Sequence, residues 1–416
     1  MVVLVPLPAC PDSLSFHHSV HSHTTLFPFS ISRPRSSSFY SQSRLGIAKA
    51  TLLTNSEWFQ VGRSIGSYGF MNVTSYSAFP SGTGNEYSYA DLGELKTQDV
   101  GEGSVKIRLY EGRVSQGLLR GTPVVFKVYP GKRAGGDEAD VMAANELNSH
   151  LVLQGNSKGI SQHIMFLVGG FETSTGEQWL AFRDDGKYSA ADYAKIASEK
   201  VSKDQLSSWN RFERGQKIKR RQYFIIKLLQ GAMSGLAYMH DHGRLHQSLG
   251  PFSVVLNTIS EREARYLIPR LRDLAFSVDV RHLEEDDSEL LPEGLRRRAS
   301  GAGAFTRMEK RAFGIADDIY EAGLLFAYLA FVPFCEAGVM DSLSLQRLLE
   351  NTFQLDLEAT REYCMADDRL VNAVEFLDLG NGAGWELLQA MLNADFRKRP
   401  TAEAVLNHRF MNGTVL

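Results

Sequence analysis

Cysteine is scarce. There are three in 416 residues, Cys10, Cys335 and Cys364, with no Cys-x-x-Cys and no His/Cys spacing of a metal site. That excludes a disulfide framework or a zinc module and reads the thiols as buried and inert. Long apolar runs are missing too. The longest, from Ala322 to Cys335, ends after 14 residues at Glu336. It is too short to span a bilayer and suits a helix buried in a core. Nor is there an excess of one charge: 45 Lys and Arg against 48 Asp and Glu give a net charge of −3. No general affinity for nucleic acid or anionic membrane follows from that balance, and any membrane attachment would be peripheral.

Acids are nearly absent from the first fifty residues. Asp12 stands alone there, among eleven serines and the bases Arg33, Arg35, Arg44 and Lys49. A Ser-rich, Arg-bearing, acid-poor leader that cannot build a core has the character of an organelle transit peptide. Serine outweighs arginine and no basic amphipathic helix is visible. Residues 1–50 are therefore expected to direct import into a plastid, with the chloroplast stroma or the thylakoid surface as destination and plastid proteins as partners. Residues 51–94 are rich in Ser, Tyr and Gly and read as a flexible lead-in.

The remainder is ordinary globular sequence, with 43% apolar and 22% charged residues overall. Its first part is β-like. Val105-Lys-Ile-Arg-Leu109 alternates, and Thr122-Pro-Val-Val-Phe-Lys-Val-Tyr129 is a strand bounded by Pro123 and Pro130. A helix is expected over 138–153, then short strands at 164–171 and 179–182. Beyond Lys187 helices dominate: Gln222–His240 repeats apolar residues at helical spacing, and Asp318–Phe331 is apolar on every side. A β-rich part followed by a helical part predicts a bilobal α+β protein over 95–412, with an N-lobe at 95–185, a C-lobe at 186–412 and a cleft between them.

Five pieces occur in one order: Gly101-Glu-Gly103 in a turn, Lys127 inside a strand, Glu146 on the next helix, His246-Gln-Ser-Leu-Gly-Pro251 after a long helix, and Asp273-Leu-Ala275 after a short strand. A Lys within an apolar strand needs an acidic partner if it is buried. Read alone, the glycines also suit a plain hairpin, Lys127 an edge strand, Asp273 a solvated turn and His246 a packed loop.

Taken together, the five pieces resemble the protein kinases. The end of the chain agrees, with Met391-Leu-Asn-Ala-Asp-Phe-Arg-Lys-Arg-Pro-Thr401 similar to the lead-in to the last kinase helix. Asp318-Ile-Tyr-Glu-Ala-Gly-Leu324 and Gly382-Ala-Gly-Trp-Glu-Leu-Leu388 are similar to segments of the thylakoid state-transition protein kinases. The resemblance implies that Gly101 and Gly103 cover ATP phosphates, that Lys127 reaches them and is held by Glu146 (Glu138 being the weaker alternative), and that Asp273 binds Mg²⁺. The third glycine, however, is Lys106. At the loop, Ser248 stands where the catalytic base belongs, Gly250 where a phosphate-contacting Lys belongs, and Ser253 where a metal-binding Asn belongs. A serine hydroxyl accepts no proton near neutral pH. The resemblance therefore implies a pseudokinase, an ATP-binding regulatory or scaffold module, with an active Ser/Thr kinase of atypical loop as the alternative. Further along, Arg296-Arg-Arg-Ala-Ser300 reads as a plain solvated loop, with a site that basic-directed kinases modify as the alternative. The basic run 211–221 reads as a solvated helix face. Glu309 is expected to pair with Arg399.

Overall fold

The structure, a computed structural model, describes residues 52–70, 105–155, 159–207, 211–281 and 291–412. The cleavage region and Gly101 and Gly103 lie outside them.

The N-lobe is a five-stranded antiparallel sheet in the order β1-β2-β3-β5-β4, with β1 at Phe59–Phe70, β2 at Val105–Val114, β3 at Pro123–Tyr129, β4 at Leu167–Glu172 and β5 at Gln178–Arg183. Between β3 and β4 the chain forms helix α1, Lys132–Gln154. Val124, Phe126 and Val128 share one face of β3 and pack against Phe59, Val114, Val168 and Ala181. The sheet curls back on itself. Leu53, just before β1, bridges Gly169 of β4 in parallel, with Leu53 N donating to Val168 O at 3.1 Å and Gly170 N to Leu53 O at 2.9 Å. Only a glycine allows this approach, because a Cβ at position 169 would stand 2.0 Å from the Leu53 carbonyl oxygen.

This corrects the flexible lead-in expected over 51–94 at its described residues, 52–70; residues 71–94 lie outside them. Residues 59–70 are a paired strand of the lobe, running from Phe59 opposite Val114 to Phe70 opposite Val105 with register shifts between Val61 and Ser64 and between Ser64 and Gly66. The strand is mostly exposed, so its Gly- and Ser-rich sequence carries little apolar alternation. Backbone pairing with β2 holds it in place.

The C-lobe is helical. It opens with the short strand β6, Tyr188–Ser189, and helices α2, Ala190–Ser207, and α3, Arg211–Asp241. A two-stranded ribbon of β7 at Arg244–Leu245 with β10 at Val278–Asp279 follows, and a three-stranded one in which β8 at Val254–Leu256 lies between β6 and β9 at Pro269–Leu271. Next come α4, Glu293–Gly301, and α5, Arg307–Phe331. The apolar run read from sequence is the second half of α5. It lies at the centre, with Leu325, Phe326, Leu329 and Phe331 packed among Phe224, Leu228 and Leu236 of α3 and Phe376 and Phe410 further on. Full burial of each such side chain contributes about 1.5–3 kcal/mol. Cys335 and Cys364 sit in this core, and burial pushes their thiols up to about 12 and about 11. Among the described residues no helix is long and apolar enough to cross a membrane.

Two smaller expectations change. Glu309 is the third residue of α5 and closes a capping box with Thr306, while Arg399 donates to the carbonyls of Asn393 at 2.7 Å and Ala316 at 3.0 Å. Ser300 lies in the last turn of α4, whose Leu295 and Ala299 are buried, and Arg298 is engaged by Asp317 at 2.7 Å. The serine is thus half-buried at the end of a packed helix, where a loop was expected.

Candidate functional site between the lobes

Lys127 lies on β3, which β2 and β5 flank, so it is on an interior strand, the residue 4% exposed. Glu146 projects from α1 and is 1% exposed. Their contact is bidentate, with Lys127 Nζ 2.7 Å from both carboxylate oxygens of Glu146. Tyr129, two residues along the same face of β3, donates its hydroxyl to Glu146. Glu138 lies eight residues earlier on α1, about 12 Å along the axis, so Glu146 is the partner.

Asp273 comes to the same point from the C-lobe. Lys127 Nζ is 2.8 Å from Asp273 Oδ1. The aspartate is 2% exposed, and its backbone is left-handed at φ 66°, ψ 53°, a conformation Asp tolerates better than most residues. Ala275, where the resemblance expects glycine, lies in the 3-10 turn Leu274–Phe276 and needs no positive φ. Asn145 fastens this turn to α1 by donating Nδ2 to Ala275 O at 2.7 Å and Ser277 O at 2.8 Å.

The charges compensate one another. Burial alone would lower the Lys127 ammonium, but Asp273 and then Glu146 outweigh it and raise Lys127 well above its ordinary value. Burial alone would raise Asp273; Lys127 and Arg272 outweigh it and bring the carboxyl down to about 2. Arg272 Nε stands 3.2 Å from Asp273 Oδ2. Tyr68, near the end of β1, donates its hydroxyl to Asp273 Oδ1 at 2.8 Å.

The loop from His246 keeps its frame. Asp318 of α5, fully buried, accepts from His246 N at 2.8 Å, Gln247 N at 2.8 Å, Gln247 Nε2 at 2.9 Å and His240 Nε2 at 2.9 Å. These bonds hold Gln247 at φ 60°. His246 is buried and donates Nε2–H to Arg272 O at 3.1 Å, so its packed-loop reading holds, and burial lowers its pKa and keeps the ring neutral.

The chemistry on that frame is different. Ser248, 8% exposed, turns its hydroxyl inward to donate to the backbone carbonyl of Asp273 at 3.2 Å. Ser253 Oγ accepts from Gly250 N at 2.9 Å and donates to Gly250 O at 2.8 Å, closing the turn Pro251–Ser253. A divalent ion here would need several oxygen donors, near-octahedral at about 2.0–2.1 Å for Mg²⁺. Asp273 Oδ1 is shared by Lys127 and Tyr68, Oδ2 faces Arg272, and Ser253 is turned into its own loop. No group of three or more His, Cys, Asp or Glu among the described residues could hold a metal ion. As arranged, these donors do not fit Mg²⁺.

The structure brings together Lys127, Glu146, Asp273 and Ser248 from four separate segments. Sequence reading missed Tyr68, Asn145 and Arg272. For Tyr68 a signal existed in Gly66-Ser-Tyr-Gly69, a glycine-spaced strand end. Lys106, expected at a third glycine, sits in β2 opposite Gly69.

No protein-family profile matches the sequence, and no curated protein matches it either. Solved structures do. The crystal structure of a Stt7 homolog from Micromonas algae, soaked with ATP, superposes with a TM-score of 0.52 at 19% identity, covering 75% of this chain and 90% of that one. Identity that low carries the fold and nothing finer. A curled five-stranded sheet with a strand Lys paired to a helix Glu, set over a helical lobe and matched across most of its length, means that this chain has the protein-kinase fold.

Proposed function

We propose that the chain is a pseudokinase of the plastid: a kinase-fold regulatory or scaffold module that holds a nucleotide without transferring its phosphate. The observation that carries this reading is Ser248, a hydroxyl at the base position that is itself bonded to the Asp273 carbonyl. A general base contributes typically 10²–10⁴-fold, and most phosphoryl transfer otherwise rests on placed charge and metal. Here Gly250 and Ser253 offer neither the cation nor the metal-binding amide, and Asp273 is neutralised by Lys127 and Arg272. The ATP of the algal structure suggests the ligand class. In this chain Lys127 is the group that would meet its phosphates. The acid-poor leader supports the plastid address, which a fluorescent fusion to residues 1–50 tests.

A second reading, an active Ser/Thr kinase, draws on one observation: the bidentate Lys127–Glu146 pair is intact. Thermal melting with ATP, in Mg²⁺ and then in EDTA, separates the two. The pseudokinase expects a small shift of the same size under both conditions. A shift that requires Mg²⁺ favours the active enzyme.

A further inference from the structure

Tyr68 has no role in the chemistry above, yet it is aimed at the centre of the site. It lies opposite Ile107 in the β1–β2 pairing, and Ile107 is fully buried. Opposed residues of an antiparallel pair share a face, so the register directs Tyr68 inward under the sheet. Its hydroxyl donates to Asp273 Oδ1 at 2.8 Å, the oxygen that Lys127 also contacts at 2.8 Å. Its ring centroid lies 5.8 Å from Lys127 Nζ and 5.9 Å from the Arg272 guanidinium carbon, within cation–π range of both. Any phosphate that touches Lys127 from the Asp273 side must enter the space this phenol fills. Burial and the neighbouring Asp273 raise its pKa, so it remains a hydrogen-bond donor.

We infer that Tyr68 is a built-in occupant of the nucleotide-phosphate position, and that a nucleoside triphosphate binds only by displacing it from Asp273 and Lys127. This rests on the part of the proposed function in which Lys127 meets a nucleotide. The strand end supplies the plug and the two cations grip its ring. Removing the ring removes the competitor while leaving the Lys127–Glu146 pair in place.

The test is fluorescence titration of the full chain with trinitrophenyl-ATP in EDTA, and again in Mg²⁺. Tyr68→Ala is expected to bind roughly tenfold tighter than the wild type, the equivalent of losing one competing hydrogen bond to a charged group. Tyr68→Phe keeps the ring and loses only the hydroxyl, so it is expected to fall between the two. It also serves if Tyr68→Ala proves poorly folded. Adding Lys127→Met to Tyr68→Ala is expected to abolish the gain. Unchanged or weaker binding in both Tyr68 variants overturns the inference, as does the absence of binding in every variant. If Tyr68→Ala binds tighter and also transfers phosphate to a protein acceptor, the plug stands and the pseudokinase reading fails.

Discussion

Lys127 and Asp273 stand 146 residues apart in sequence, and their charged atoms meet at 2.8 Å. Glu146 completes the contact on the other side of the ammonium. One buried cation thus joins the sheet, helix α1 and the C-lobe. A buried pair adds little net stability over an apolar replacement, but breaking one from a single side is costly because a charge is left uncompensated.

Lys127→Met leaves both Glu146 and Asp273 without their shared cation. The expected loss is about 3–5 kcal/mol in urea unfolding, so this substitution reports on folding as well as on nucleotide binding. A loss below about 1 kcal/mol would mean that water or other groups satisfy the carboxylates and that the site is less closed than its geometry indicates.

Stability against acid follows from Asp273. Its folded pKa is depressed to about 2, below the ordinary value of about 3.9. Its contribution is therefore complete above about pH 4 and is lost as the pH falls toward 2. Unfolding of the wild type and Asp273→Asn should differ most at neutral pH, and the gap should narrow below pH 4. A gap that stays constant down to pH 2 would assign the acid sensitivity to other carboxylates. Lys127 acts in the opposite direction. Because its pKa is raised, its contribution is complete below about 10.4 and fades only above that.

A chain beginning at Leu95 tests the correction to the lead-in. It lacks β1, and with it the Leu53 bridge to β4 and Tyr68. Its β2 would become an unprotected edge. This shortened chain should melt lower and aggregate more than one beginning at Thr51. Equal melting would show that β1 contributes nothing to the lobe.

Much of this was legible in sequence, for identifiable reasons. β3 announced itself by β-branched residues between two prolines, and the second half of α5 by an apolar surface on every side. Lys127, Glu146, Ser248 and Asp273 could be placed because each is tied to a local pattern of strand, helix or turn. β1 was not legible, since its Gly- and Ser-rich residues are mostly exposed and its strand form depends on pairing with a partner at residues 105–114. Asn145 and Arg272 gave no signal, because their roles are tertiary. Asn145 matters only once the Ala275 and Ser277 carbonyls arrive beneath α1. Glu309 and Arg399 were matched by charge, whereas local capping and two carbonyls are what engage them.

The most direct test of the central claim is transfer of label from [γ-³²P]ATP by the purified chain, with Mg²⁺ or Mn²⁺ and a casein acceptor, alongside Lys127→Met and Asp273→Asn. With Ser248 bonded to the Asp273 carbonyl and Asp273 neutralised by its neighbours, the wild type should incorporate no more label than either variant. Incorporation by the wild type that disappears in both variants would contradict the account and establish an active kinase.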